Sequence, residues 1–234
     1  MKKFYLLTLL LVTICATTFA AENPLPPPTI SVNGEGFVEV APDRAIISLG
    51  VVTRDKNSAA VQSANAKAAN SVINSIVALG IERKNISTGN YSFYPTYKHS
   101  DNGRSEITGY EATNSVTIIV DDLNLVGKII DAALSHGANR VDNLNFGLRD
   151  KNSARDEALK LAILDARHTA EVAAAALGKT IVGVRNVMIN SSSVSSPRNA
   201  KLARAMEDSI NAETPIESGT VQCSASVHVE FEIR

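Results

Sequence analysis

Tryptophan is absent from the 234-residue chain, aromatic residues of all kinds make up 5% of it, and there are two cysteines. Two thiols cannot build the multi-bridge framework of a small secreted scaffold. Charge of one sign is also missing: 23 Lys and Arg stand against 24 Asp and Glu, so no basic excess exists for a protein whose main partner is nucleic acid. Hydrophobic residues at 44% exclude a wholly disordered chain, and 13 glycines without a period exclude collagen. No tandem repeat of solenoid period is found. The one continuous apolar run is about a dozen residues long, short of the roughly 20 needed to span a bilayer. What remains is a chain with ample apolar residues for a real core, in one ordinary domain or two small ones.

That apolar run is N-terminal and reads as a targeting segment. Lys2 and Lys3 give a positive start, residues 4–16 are largely apolar, and Thr18-Phe19-Ala20 offers small residues at the positions before a cut. This is the pattern of a secretory signal peptide over residues 1–20, cleaved after Ala20. A retained anchor would need a longer run. Acylation at Cys15 would need a small residue before it, where Ile14 stands. Cleavage leaves Cys223 as the only thiol, so no intrachain disulfide is expected. Pro24, Pro26, Pro27 and Pro28 then make residues 21–28 an extended leader.

The pattern from residue 29 to 234 predicts a single α+β domain. Residues 29–40 alternate as a strand softened by Gly34 and Gly36; the two glycines suit a bulge or a place where another backbone comes close. After Ala41-Pro42-Asp43 a second strand covers 44–53. Asn57 or Ser58 caps a helix to Leu79, with Ala60, Ala64, Ala68, Val72 and Ile76 along one face and Gly80 at its end. Strands at 86–97 and 109–120, a helix over 122–135 and a strand over 141–148 follow. The order over 44–148 is β-α-β-β-α-β: a ferredoxin-like core, an antiparallel sheet with helices packed on one face.

An α-β-β extension completes the chain. Its helix opens with Ser153 and Asp156 spaced as a capping box and carries a run of alanines from Ala158 to Ala176, small enough to lie close to a neighbour. A strand covers 181–189. The last strand, 221–233, alternates strictly, with Val221, Cys223, Ala225, Val227, Val229, Phe231 and Ile233 on one side. Between these strands, residues 190–218 form a long polar arm with a short helix near 200–210. Connections of this length are usually functional or interaction segments.

Chemistry-bearing patterns are sparse. The histidines His99, His136, His168 and His228 match no common zinc spacing, so no metal site is expected. Gly34-Glu35-Gly36 lacks the third glycine and the helix start of a dinucleotide turn, and neither a phosphate-binding loop nor a nucleophile elbow occurs. No catalytic residue and no cofactor is nominated. Cys223 falls on the apolar face of the last strand, where a thiol behaves as a small hydrophobe. The one local concentration of aromatics is Tyr91, Phe93, Tyr94, Tyr97 and Tyr110. It reads either as a hairpin braced by cross-strand aromatic pairs or as a candidate binding surface.

A set of ordered local motifs runs through the chain. These are Val32-Asn33-Gly34-Glu35-Gly36, Ala41-Pro42-Asp43, Leu79-Gly80-Ile81, Ile86-Ser87-Thr88, Tyr94-Pro95-Thr96-Tyr97, Gly109-Tyr110-Glu111-Ala112 and Asp122-Leu123. His136-Gly137-Ala138, Glu157-Ala158, Asp165-Ala166, Ala176-Leu177-Gly178 and Thr214-Pro215-Ile216-Glu217-Ser218-Gly219 follow. In this order the chain from Thr29 to Arg234 resembles the SIMPL-domain family of bacterial periplasmic proteins, which includes YggE-like oxidative-stress-defence and periplasmic immunogenic proteins. The resemblance implies export to the periplasm, an α+β fold, a link to envelope stress or surface antigenicity, and large homo-oligomers in some members. It brings no catalytic residues to carry over.

The expectation is therefore a non-enzymatic periplasmic protein acting in envelope or oxidative stress defence through self-assembly or binding. It has no nucleic-acid partner and no transmembrane segment, and peripheral association with the envelope is compatible with it. A binding module for a small or hydrophobic ligand at the Tyr-rich hairpin is the second reading. A hydrolase without a nominated site is the third.

Overall fold

The computed structural model describes residues 27–99, 105–195 and 214–234. The expected signal segment, most of the expected leader, and the arm between 196 and 213 with its expected short helix lie outside the described residues.

Strands β1 (Thr29–Val40) and β2 (Arg44–Asp55) are followed by α1 (Ser58–Ala78), β3 (Ile86–His99), β4 (Ser105–Val120) and α2 (Val126–Ser135). Then come β5 (Arg140–Gly147), α3 (Asn152–Ala176), β6 (Ile181–Ser195) and β7 (Val221–Ile233). Four strands form one antiparallel sheet in the order β3-β4-β2-β5, the ferredoxin-like arrangement expected for 44–148. The α-β-β extension does not lengthen that sheet. It builds a second one, ordered β1-β7-β6, in which the last strand of the chain lies between the first and the sixth. The strict alternation of β7 demands an apolar layer against its inner face, and α3 supplies it.

The first core fills the space between the four-stranded sheet and helices α1 and α2. Ile47, Leu49, Val72, Ile76, Ile118 and Ile129 are all fully buried there. Burying each such side chain contributes about 1.5–3 kcal/mol. Helix α1 begins where expected, with the Asn57 side chain accepting from the backbone N–H groups of Ala59 and Ala60. Its buried face differs by one residue from the alanine pattern: Val61, Asn65, Ala69, Val72 and Ile76 point inward. Alanine is compatible with either face, whereas the Asn65 Nδ2 reaches Val51 O at 2.9 Å and Ala112 O at 3.1 Å and fixes the rotation.

The second core is thinner. Ala158, Ala162, Ala166 and Ala170 of α3 pack on Ala225, Val227, Val229 and Phe231 of β7. Helix and strand approach so closely that a Cβ built on Gly34 would sit 2.1 Å from Ala162 O, and one on Gly36 2.2 Å from Ala158 O. The glycine pair of β1 and the alanine stripe of α3 are two sides of one contact. The expected Ser153–Asp156 capping box is not used. Helix α3 begins at Asn152 with Lys151 in the cap position, and Asp150 Oδ1 accepts the Asn152 N–H at 2.8 Å.

A short polar joint links the layers. Asp43 Oδ1 accepts the Arg149 N–H at 2.7 Å, and Asp43 N–H donates to Gly147 O. Arg44 grips Asp121 through Nε at 2.7 Å and Nη2 at 3.3 Å, with Arg149 at 3.6 Å. The hydrogen bond from Arg44 holds the Asp121 carboxyl below the usual carboxylate range, and the same bond raises Arg44. The chain re-enters at Thr214, whose hydroxyl donates to Asp131 Oδ1 at 2.6 Å and whose N–H donates to Oδ2 at 3.2 Å. Ile216 then packs on the first core. The leader is anchored as well: Pro28 O accepts from Ile233 N–H, and Pro27 O from Arg185.

Candidate functional surfaces

The aromatic cluster is carried by the β3–β4 hairpin, where pairing of Phe93 with Ala112 and of Pro95 with Tyr110 puts Phe93 and Tyr110 on one face. Their rings stack with centroids 5.7 Å apart and planes inclined by 23°. This is the cross-strand brace expected of such a hairpin. Tyr94, opposite Glu111, alternates to the other face. A register shift after Thr96 sets Tyr97 opposite Ile107. Tyr91, Tyr94 and Tyr97 are 50%, 61% and 55% exposed, so the hairpin offers aromatic area on both faces. The five residues share a ribbon and do not converge on an enclosed pocket.

The histidines are dispersed. His136 Nδ1 lies 2.7 Å from Ala132 O, at the helix end as expected. His228 Nδ1 is 2.8 Å from Asn33 Oδ1 on the outer face of the three-stranded sheet. His168 is exposed on α3, and the side chain of His99 lies outside the described residues. Among the described residues, no three or more His, Cys, Asp or Glu side chains come together to hold a metal ion. No described helix is long and apolar enough to cross a membrane.

Cys223 is fully buried among Leu148, Ala154 and Val221, with Val40 against them. A buried thiol of this kind is kinetically protected. An aromatic disulfide reagent is expected to leave Cys223 unmodified in the folded protein and to titrate it fully after unfolding. Cys223→Ala is expected to cost roughly 1–2 kcal/mol through the lost packing volume, as read by denaturant melts. Rapid reaction under native conditions would contradict the core assignment.

A cleft of about 660 Å³ opens where the end of β1 meets the start of α3, lined by Val38, Val40, Asp43, Asp150, Asp156 and Lys160 among others. Two of its acidic groups are engaged by backbone N–H groups, Asp43 by Arg149 and Asp150 by Asn152, and the lining residue Glu157 pairs with Lys160 at 3.2 Å.

Sequence reasoning did not single out the apolar surface around α3 and β6. Leu164, Val172 and Leu177 of α3, and Val182, Val184, Val187, Met188 and Ile189 of β6, are exposed. The signal was present in Ile181-Val182-Gly183-Val184 and Val187-Met188-Ile189, but a run of this kind reads equally well as a buried strand.

The chain is a member of the SIMPL family, described as "Protein of unknown function (DUF541)", whose model matches residues 30–231. Among its relatives, the "26 kDa periplasmic immunogenic protein" of Brucella melitensis biotype 1 is 32% identical over 227 residues, covering 92% of this chain and 90% of that protein. The "Uncharacterized protein YggE" of Escherichia coli (strain K12) is 26% identical over 215 residues, covering 92% of this chain and 87% of that protein.

Proposed function

We propose that the protein is exported to the periplasm and acts there without catalysis, by self-assembly, in defence of the envelope against oxidative and other stress. The observation that carries the assembly reading is the concentration of exposed aliphatic side chains on α3 and β6. Exposed apolar area beyond a few scattered residues is a common mark of an interaction surface. The location is supported by the Brucella relative's being named a periplasmic protein. The stress role comes from the family resemblance.

Mature protein purified gently from the periplasm is expected to give one discrete multimeric mass in native mass spectrometry. A monomer at all concentrations would overturn the assembly reading. The second reading, a module for a small or hydrophobic ligand, is favoured by exposed Tyr91, Tyr94 and Tyr97. It predicts a monomer or dimer with a reproducible added mass, lost together with a change in Tyr fluorescence on delipidation.

A further inference from the structure

Helix α3 does not sit centrally on its sheet. Gly34 and Gly36 draw its backbone onto β1, and its alanine stripe covers Ala225, Val227, Val229 and Phe231 of β7. The pairing of β6 with β7 sets Val184 opposite Phe231, Val187 opposite Val229 and Ile189 opposite Val227, so these three share the inner, helix-side face of the sheet. They are nevertheless 58%, 46% and 60% exposed. The result is an apolar ledge, with β6 as its floor and one flank of α3 as its wall.

Contacts on the opposite flank fix which residues form that wall. A Cβ on Gly36 would meet Leu161 Cβ, and Asp165 accepts the Glu35 N–H at 3.0 Å, so Leu161 and Asp165 face the outer edge of β1. Arg155, Leu159 and Ile163, spaced i, i+4 and i+8, share the other side of the helix, toward β6. Leu159 packs on the second core, and Ile163 is exposed. Ala162 meets Gly34, and Gly34 and Ile189 both pair with Val227. Ile163 therefore stands level with Ile189, and Arg155 lies beyond that end of the ledge.

Arg155 is half-buried, and its Nε is closed to solvent with no acceptor among the described residues. The acidic cleft at the same helix end is lined by Val38 and Val40 of β1 and does not include Arg155. A guanidinium donor withdrawn from water without an acceptor is costly, and native structures supply such a donor with a partner.

We propose that this ledge binds a single-chain fatty acid, with its carboxylate on Arg155 and its tail along Leu159, Ile163, Ile189, Val187 and Val184. Charge decides the occupant. One cation at the end of an aliphatic surface complements an anionic head on an apolar tail, and the planar arginine fork matches a carboxylate with two parallel hydrogen bonds. Length agrees: Val184 to Ile189 spans about 16 Å at roughly 3.3 Å per residue, close to one acyl chain, or half of a hydrocarbon core about 30 Å thick. A membrane surface would call for a basic rim and interfacial aromatics, which a single arginine does not supply. The site is separate from the Tyr-rich hairpin and does not depend on assembly. Met188, opposite His228 on the outer face of the sheet, and Leu164, midway between the buried Ala162 and Ala166 on the far side of the helix, remain free for contacts between copies.

The test uses the full mature chain, stripped of lipid and titrated with palmitate below its micellar concentration, read by calorimetry and native mass spectrometry. One palmitate per chain is expected. Arg155→Ala is expected to weaken binding at least tenfold, and Arg155→Lys, which keeps the charge and loses the fork, to fall between. Lys67→Ala, which removes an exposed cation from α1, is the control and should leave the affinity unchanged. Methyl palmitate, with the same tail and no charge, should bind the wild type at least tenfold more weakly than palmitate, a comparison that needs no variant to fold. Absence of bound palmitate, equal binding of the methyl ester, or unchanged affinity in Arg155→Ala overturns the site. Tighter binding of a lysophospholipid than of palmitate assigns the ledge to a phosphate head and overturns the carboxylate.

Discussion

Gly36→Val is expected to abolish docking of α3 and to leave a chain that does not reach its native state. The first added carbon already falls 2.2 Å from Ala158 O and 2.5 Å from Ala162 N, which are backbone atoms and cannot swing aside as a side-chain end could. The helix would have to retreat by more than an ångström along its length. Its alanines would then lose contact with β7, since they have no longer side chain to bridge the gap. Overpacking of a well-packed contact typically costs 1–3 kcal/mol. Here backbone meets backbone over the whole thin core, so a loss of roughly 4 kcal/mol or more is expected, at the diagnostic end of single substitutions. Gly36→Ala should show most of the effect. Gly147→Ala, where an added Cβ meets nothing within 4 Å, is the control and should shift the denaturation midpoint little. Near-wild-type stability of Gly36→Ala would mean that α3 does not lie on β1.

The second large effect is expected at Asn65. This side chain is 1% exposed, and its Nδ2 binds one carbonyl from β2 and one from β4, tying α1 to the middle of the four-stranded sheet. Asn65→Asp keeps the shape but replaces a donor by an acceptor facing two carbonyl oxygens. Ionised, the carboxylate would be buried against like partial charges; protonated, it could satisfy only one of the two. A loss of roughly 3–5 kcal/mol at neutral pH is expected.

The sign of the pH dependence distinguishes this cause from simple loss of packing. Burial without a donor raises the folded-state pKa of the new carboxyl above its unfolded value of about 3.9. Its penalty is therefore small below that value and grows as pH rises toward neutrality. Asp121 behaves oppositely: the Arg44 bond lowers its folded pKa, so its contribution is present above the unfolded value and is lost as pH falls through the folded one. Denaturant melts of Asn65→Asp at pH 4 and pH 7 should show the smaller deficit at pH 4. An equal deficit at both would assign the damage to packing alone.

These two positions also show how far the fold was legible. Gly34 and Gly36 could be read in advance as either a bulge or a close backbone approach, and the structure shows the second. The alanine-rich helix supplied a partner small enough to fit. The order of elements over 44–148 gave the ferredoxin-like sheet, and the alternation of β7 gave its buried face residue by residue. Helix α1 was placed correctly and its Val72 and Ile76 were read as inward, but in its first half the buried positions are one residue later, Val61, Asn65 and Ala69. Alanines tolerate burial and exposure alike, and the residue that decided the matter was a polar one.

The second sheet could not be inferred from periodicity, which describes one strand at a time and is silent on which strands pair. The candidate surfaces divided in the same way. The Tyr-rich hairpin was visible as a local concentration, and the Phe93–Tyr110 stack fits the structural of its two alternative readings. The β6 patch was not visible, because its exposure results from where α3 comes to rest.

The position of β7 sets the order in which the molecule can be completed. It is the seventh of the seven described strands, yet it is the middle of its sheet, and β1 and β6 reach each other only through it. The tie between Thr29 and Glu230 joins residues 201 apart in the chain. During synthesis or passage across a membrane, the segment 44–147 can close its own sheet as soon as it emerges. Among the described strands, β1 pairs with β7 alone. Contacts this distant are slow to form. Gly34 and Gly36 therefore pair across the greatest sequence separation of any described strand pair, and docking of the thirteen-residue strand β7 is expected to complete the second sheet.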